Sequence, residues 1–190
     1  EIHFTHEKLA IDLGGIAKGY AVDRAINILQ KHAVAHAYVS AGGDSRLLGD
    51  KRGRPWMVGI QDPRDKNKLV ATLPLQNVAV STSGDYERFF ILGNKRYHHI
   101  LDPKTGRSAA QVRSVTIIGA SCITTDALST GVFVLGVKKG LALIARQPGT
   151  DAVIIDDQGR LHFSPAMVKN PLPAQLRPAP EPAGGPEGRH

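Results

Sequence analysis

The sequence predicts a single α+β domain in which a mixed or antiparallel sheet is flanked by helices. Three observations carry this reading. Short β-rich runs bounded by Pro, Asn, Asp and Gly follow one another in mid-chain, as the strands of an antiparallel meander would. Two stretches, one on either side of that region, read as helices instead, the first by its amphipathic periodicity and the second as an apolar run. Helices and strands segregate rather than alternate regularly, which disfavours a doubly wound parallel sheet. With 190 residues, 42% of them hydrophobic and 22% charged, the chain is long enough for one domain with a core.

Taken in order, "HFTHEKLAIDLGG" reads as a strand entering a glycine pair. "IAKGYAVDRAINILQKH" is an amphipathic helix. Ala17, Ala21, Ala25 and Ile28 share one face with Val22, Ile26 and Leu29 beside them, while Asp23, Arg24, Asn27, Gln30 and Lys31 lie opposite. "AHAYVSA" is a strand ending in the Gly42 to Asp44 run, and "PWMVGIQDP", "KLVATLPL" and "NVAVST" form the meander. "RYHHILDPKTG" is a strand closing on an Asp-Pro turn, and "SVTIIGA" is a buried strand. The second helix runs from Thr125 to Gly136 and continues into "KKGLALIAR". "TDAVIIDDQGRLHFS" is a hairpin tipped by Asp157, Gln158 and Gly159. The core is expected over 1–165. From 166 to 190 the chain is rich in Pro and Gly and reads as a disordered tail, with six prolines from Pro171 onward and little to bury.

Composition narrows the function classes. The formal charge is +7, yet the basic residues are scattered, in runs no longer than pairs such as Lys138-Lys139, which argues against a nucleic-acid binder and suits an anionic small ligand. Cys122 is the only cysteine, so neither a disulfide framework nor a cysteine metal site is available, and it reads as a small buried thiol. No apolar run approaches the ~18 residues of a membrane span. The opening "EIHFTHEKLA" has neither an initiator Met nor a signal-peptide pattern, as expected of a processed or excised piece.

Several short motifs carry candidate chemistry. "DLGGIAKG" sets Asp12 before a glycine turn at a helix start, with Lys18 one turn in. It reads either as an anion site or as a structural helix start. "SAGGD" reads as a site-lining strand end or as a tight turn. "STSGDYERFF", with Ser83 and Gly84, is a phosphate or ribose cradle or else a helix cap. His98 and His99 are neighbours in a strand, so at most one faces the interior, and one beside a reacting centre would act as a general base. In "ITTDALSTG", Asp126 and Thr130 stack at i and i+4 on one helix face. They suit a hard cation such as Mg²⁺, or Thr124 or Thr125 caps the helix and Asp126 merely favours its positive end.

In their order and wording these motifs resemble the ApbE-type FAD:protein FMN transferases. The matching pieces are "DLGGIAKGYAVD", "VSAGGD", "VGIQDP", "VSTSGDYERFF", "HHILDPKTG" and "TTDALSTGVFVLG", spanning Asp12 to Gly136. The resemblance implies an enzyme that binds FAD and Mg²⁺, cleaves the pyrophosphate, attaches FMN to a Thr or Ser of a partner flavoprotein and releases AMP. It implies FAD contacts from Asp12, Lys18, His99, Ser83 and Gly84, with His99 as the base. It implies metal ligation by the Gly15 backbone carbonyl and the side chains of Asp126 and Thr130. Only eleven residues precede Asp12, so the family's usual N-terminal portion is expected to be missing. Alternative readings are an FAD pyrophosphatase giving FMN and AMP, or a flavin-binding module inactive in transfer. The expected acceptor is a flavoprotein subunit of a membrane redox complex, and the expected residence is periplasmic or inner-membrane-anchored.

Overall fold

Strand alternation organises the domain. In β8 (Val112–Gly119), Val115 and Ile117 face one side of the sheet and Ile118 the other. A computed structural model describes residues 3–169. Its main sheet has six antiparallel strands in the order β1 (Ala37–Ala41), β2 (Asp44–Leu48), β5 (Ala79–Gly84), β8, β9 (Asp151–Asp156) and β10 (Leu161–Phe163). One face carries α1 (Ala17–Lys31) and α2 (Cys122–Ile144). Val115, Ile117, Ile154, Val132 and Phe133 close the core there. The opposite face is covered by the hairpin β3 (Trp56–Gln61) and β4 (Leu69–Leu75), through Ile60, Leu73, Val80, Ile118 and Val153. A second hairpin, β6 (Phe89–Leu92) and β7 (Lys95–His98), forms its own two-stranded ribbon.

The α+β class, both helices, the strand over "SVTIIGA" and the closing hairpin are as expected. Four details differ. No strand forms among described residues 3–16: Leu9, Ile11 and Leu13 are exposed, and their backbone finds no ladder partner. The meander is two separate things, because β3 pairs only with β4 while β5 joins the main sheet between β2 and β8. The buried stripe of α1 is Gly19, Val22 and Ile26, whereas Ile28 is 53% exposed. Finally, α2 does have the length and apolar composition of a membrane span. It is the core helix, packed on β5, β8 and α1 with Thr125, Asp126 and Ser129 buried.

Two local features position the site. Gly42 and Gly43, at φ 53° and 95°, close the two-residue β1–β2 turn, so that Asp44 begins β2 opposite Ala41. On β5, Ala79, Ser81 and Ser83 alternate toward the helices, which puts a row of hydroxyls against α2. Beyond β10 lies the short helix α3 (Pro165–Lys169). The tail expected after residue 165 lies, from 170 onward, outside the described residues.

Candidate active site

The N-termini of α1 and α2 meet where a side chain at Gly19 would collide with backbone. A Cβ there would fall 2.4 Å from the Cys122 carbonyl oxygen and 2.7 Å from Ile123 Cα. At this crossing each helix caps the other. Neither Ile16 nor Ser121, the residues at the N-cap positions, makes a side-chain cap. Instead Asp23 of α1 accepts from the Cys122 and Ile123 amides at 2.9 and 3.0 Å. In return, Asp126 of α2 accepts from the Gly19 amide at 3.0 Å. Orphan amide donors at both helix starts are thereby satisfied by carboxylates, which the helix dipoles favour. The caps expected from Thr124 or Thr125 do not form; Ser121 Oγ bonds Thr124 Oγ1, and Thr125 bonds Ser81.

Lys18 sits at the same corner between two carboxylates. Its Nζ is 3.2 Å from Asp126 Oδ1 and 3.0 Å from Asp44 Oδ2. The second approach is an ion pair outside hydrogen-bond geometry, so the buried Asp44 Oδ2 has no hydrogen-bond donor. Burial works against the charge of Lys18, but Asp44 and Asp126 outweigh it and raise its pKa. Burial raises the pKa of Asp44, helped by the neighbouring Asp126, and Lys18 and Ser81 only partly offset this. Two buried carboxylates thus share one ammonium, and the corner is short of positive charge.

This corner suits a hard divalent cation. It has Asp126, the Asp44 oxygen that pairs only with the shared Lys18 ammonium among the described residues, and the Thr130 hydroxyl, whose one hydrogen-bond contact among them is Ser83 Oγ at 3.2 Å. Gly15 lies just before α1, exposed, and no backbone amide bonds its carbonyl among the described residues. No cluster of three His, Cys, Asp or Glu side chains forms among the described residues, so a metal here would draw on hydroxyl and carbonyl oxygens.

Next to the corner, along β5, a cavity of about 1270 Å³ opens between the β6–β7 hairpin and residues 101–113. Its wall includes Phe90, Tyr97, His98, Arg113 and an Arg64–Asp85 pair. That pair is bidentate, at 2.7 and 2.6 Å. Ser83, Gly84 and Asp85 therefore run from the carboxylate corner to the cavity wall.

A model of the ApbE family matches residues 1–154. The chain belongs to the ApbE family. It is 40% identical to the FAD:protein FMN transferase of Treponema pallidum over 88% of this chain and 49% of that protein. It is 36% identical to the FAD:protein FMN transferase of Klebsiella pneumoniae, over 83% and 51% of the two chains. The crystal structure of the ApbE protein of Thermotoga maritima superposes with a TM-score of 0.77 at 44% identity, covering 84% of this chain and 52% of that one. The chain thus spans about half the length of the curated relatives it matches.

Within this ApbE fold the expected site residues divide between several places. Lys18 and Asp126 are in direct contact, and Thr130 joins them through Ser83 and Ser129. Asp12 is exposed, and its Oδ1 accepts from the Gly14 amide at 2.6 Å, making the turn into α1. At Gly84 a Cβ would fall 2.3 Å from the Tyr86 ring, so any side chain there would have to displace that ring. Of the two histidines, His98 is the inward one. Its Nε2 donates to the Ala109 carbonyl at 2.8 Å, Nδ1 accepts from the Ile100 amide at 3.3 Å, and the ring meets Phe133 edge-on. His99 points out, with Nδ1 3.3 Å from the Arg88 carbonyl, and does not line the cavity.

Asp44, Asp23 and the Arg64–Asp85 pair were not singled out as side chains from the sequence. Asp44 was legible in principle: the residue after a Gly-Gly hairpin turn starts a strand. Cys122 is fully buried and its thiol is pushed up to about 11, chiefly by burial, as befits a packing residue.

Proposed function

We propose that this chain carries the pyrophosphate-cleaving site of an Mg²⁺-dependent FAD:protein FMN transferase. The observation that supports it most is the corner where two helix N-termini, Lys18 and a charge-deficient pair of carboxylates converge. Asp126, Thr130 and the Gly15 carbonyl would hold the cation, which supplies neutralisation of pyrophosphate charge when bound. Lys18 is placed to bind a phosphate oxygen, and the positive dipole ends of the two helices favour an anion there. Asp12, in the turn before α1, and Ser83 and Gly84, at the end of β5, would border FAD.

In the reaction the acceptor Thr or Ser oxygen attacks the FMN phosphorus, its proton passes to a base, and the P–O bond to AMP breaks. His99 is the proposed base: it is exposed, and among the described residues only its Nδ1 is engaged, at the Arg88 carbonyl. The acceptor would be a flavoprotein subunit of a membrane redox complex, in the periplasm or at the inner membrane.

Incubation with FAD, Mg²⁺ and an acceptor carrying the target Thr should give covalent flavin fluorescence on the acceptor and stoichiometric AMP. AMP and free FMN without labelling would make the chain a pyrophosphatase, and FAD binding without turnover would make it a flavin-binding module. Asp126→Ala should abolish Mg²⁺-dependent turnover, and His99→Ala should slow transfer while FAD still binds. Transfer by His99→Ala at the parent rate would remove the base assignment.

A further inference from the structure

We propose that Ser83 and Ser129 are positioning residues that hold the Thr130 hydroxyl with its proton turned into the protein and its lone pairs free for a cation. The inference rests on the reading of Thr130 as a metal ligand. It follows from counting protons. Ser129 Oγ is 2.9 Å from the Asp126 backbone carbonyl, which can only accept, so the single Ser129 proton is committed there. Ser83 Oγ is 2.8 Å from Ser129 Oγ, which can now only accept, so the Ser83 proton goes to Ser129. Thr130 Oγ1 is 3.2 Å from Ser83 Oγ, and the one proton left for that contact is its own. The relay therefore runs from Thr130 to Ser83, from Ser83 to Ser129, and from Ser129 to the Asp126 carbonyl.

The direction of the relay decides what Thr130 offers a cation. Among the described residues no donor reaches Thr130 Oγ1, so neither lone pair is occupied by protein. An O–H that donates gains electron density on its oxygen, and chained hydrogen bonds reinforce one another. A helical Thr commonly bonds back to the carbonyl four residues earlier, which for Thr130 is Asp126. Here Ser129 holds that carbonyl, and Thr130 is left to Ser83. The two proposed side-chain ligands are thus tied through one helical turn and the helix-facing edge of β5.

The test is Mn²⁺ titration of the full chain by electron paramagnetic resonance, with the metal-free melting temperature recorded for each variant. Ser83→Ala should weaken Mn²⁺ about 10-fold, in the usual range for groups that orient metal ligands. Ser83→Thr, which keeps the hydroxyl, should restore it, and Ser129→Ala should match Ser83→Ala. On a Thr130→Ala background Ser83→Ala should cost nothing further, because it acts only through Thr130. Additive losses, or wild-type affinity in both Ser83→Ala and Ser129→Ala, would overturn the relay. Asp126→Ala separates the two ways of failing. If it binds Mn²⁺ like the wild type, or if the wild type binds none, the cation site itself falls and the relay with it. If Asp126→Ala loses the metal while the serine variants keep it, only the relay falls.

Discussion

Gly19→Ala tests whether the helix crossing, rather than either helix alone, holds the site together. Alanine is the better helix former by about 1 kcal/mol, so helix propensity alone predicts stabilisation. The structure predicts the reverse, because the new Cβ would meet the Cys122 carbonyl oxygen and carbon at 2.4 and 2.6 Å, and these are backbone atoms that cannot rotate away. If the helices stay in place, overpacking costs about 1–3 kcal/mol. If they part, the charge-assisted bond from the Gly19 amide to Asp126 goes, at about 1.5–3 kcal/mol. The Asp23 cap on α2 goes with it, at about 1 kcal/mol. Set against the propensity gain of about 1 kcal/mol, the first route leaves a net loss of up to about 2 kcal/mol and the second about 1.5–3 kcal/mol, so the melting temperature falls by up to roughly 12 °C for a chain of this size. Gly131 is the matched control: it lies in α2 with nothing within 4 Å of an added Cβ. Gly131→Ala should therefore gain up to about 1 kcal/mol by propensity. Thermal unfolding followed by circular dichroism reads both variants. A Gly19→Ala protein as stable as Gly131→Ala would refute the close crossing and the reciprocal caps with it.

Three other outcomes follow from side-chain partners. Arg64→Ala leaves the buried Asp85 carboxylate unpaired and should cost about 2 kcal/mol, after discounting for the partly exposed guanidinium. Arg64→Lys should restore only part of this because lysine cannot make the bidentate pair, and equal melting temperatures for all three proteins would contradict the geometry. At the closing hairpin, burial would raise the Asp156 pKa, but bonds from His162 and from the Arg160 and Gln158 amides hold it well below the usual carboxylate range. A carboxyl lowered by folding stabilises above its unfolded pKa of about 4 and loses that contribution as the pH falls below it. The gap in melting temperature between wild type and Asp156→Asn should thus be largest near neutrality and shrink on acidification; a widening gap would reverse the sign. Buried Cys122, with its thiol pushed up to about 11, should resist a disulfide-exchange reagent at pH 8 until the protein unfolds. Stoichiometric reaction of the folded protein would place the thiol at the surface.

Local pattern read the elements whose partners did not matter to the reading. β8 is a run buried on both faces, β9 and β10 flank a turn signal, and the amphipathic periodicity of α1 and the long apolar run of α2 stand out without any knowledge of what covers them. Elements defined by their neighbours were missed or overstated. "HFTHEKLA" has strand-like composition but no ladder partner among the described residues, while "DSRLL" and "FFIL" become strands only because β1 and β5, or β7, lie beside them. The site shows the same limit more sharply. Rules for helix caps look a few residues along the chain, but the caps here come from the other helix: Asp126 serves Gly19 across 107 residues, and Asp23 serves Cys122 across 99. For that reason the cap that Asp126 makes on α1 does not compete with its reading as a cation ligand. Its Oδ2 caps α1 while Oδ1 faces Lys18, the ammonium it shares with Asp44. The cap fixes where the carboxylate stands, and the charge left over at that corner is what a divalent cation would meet.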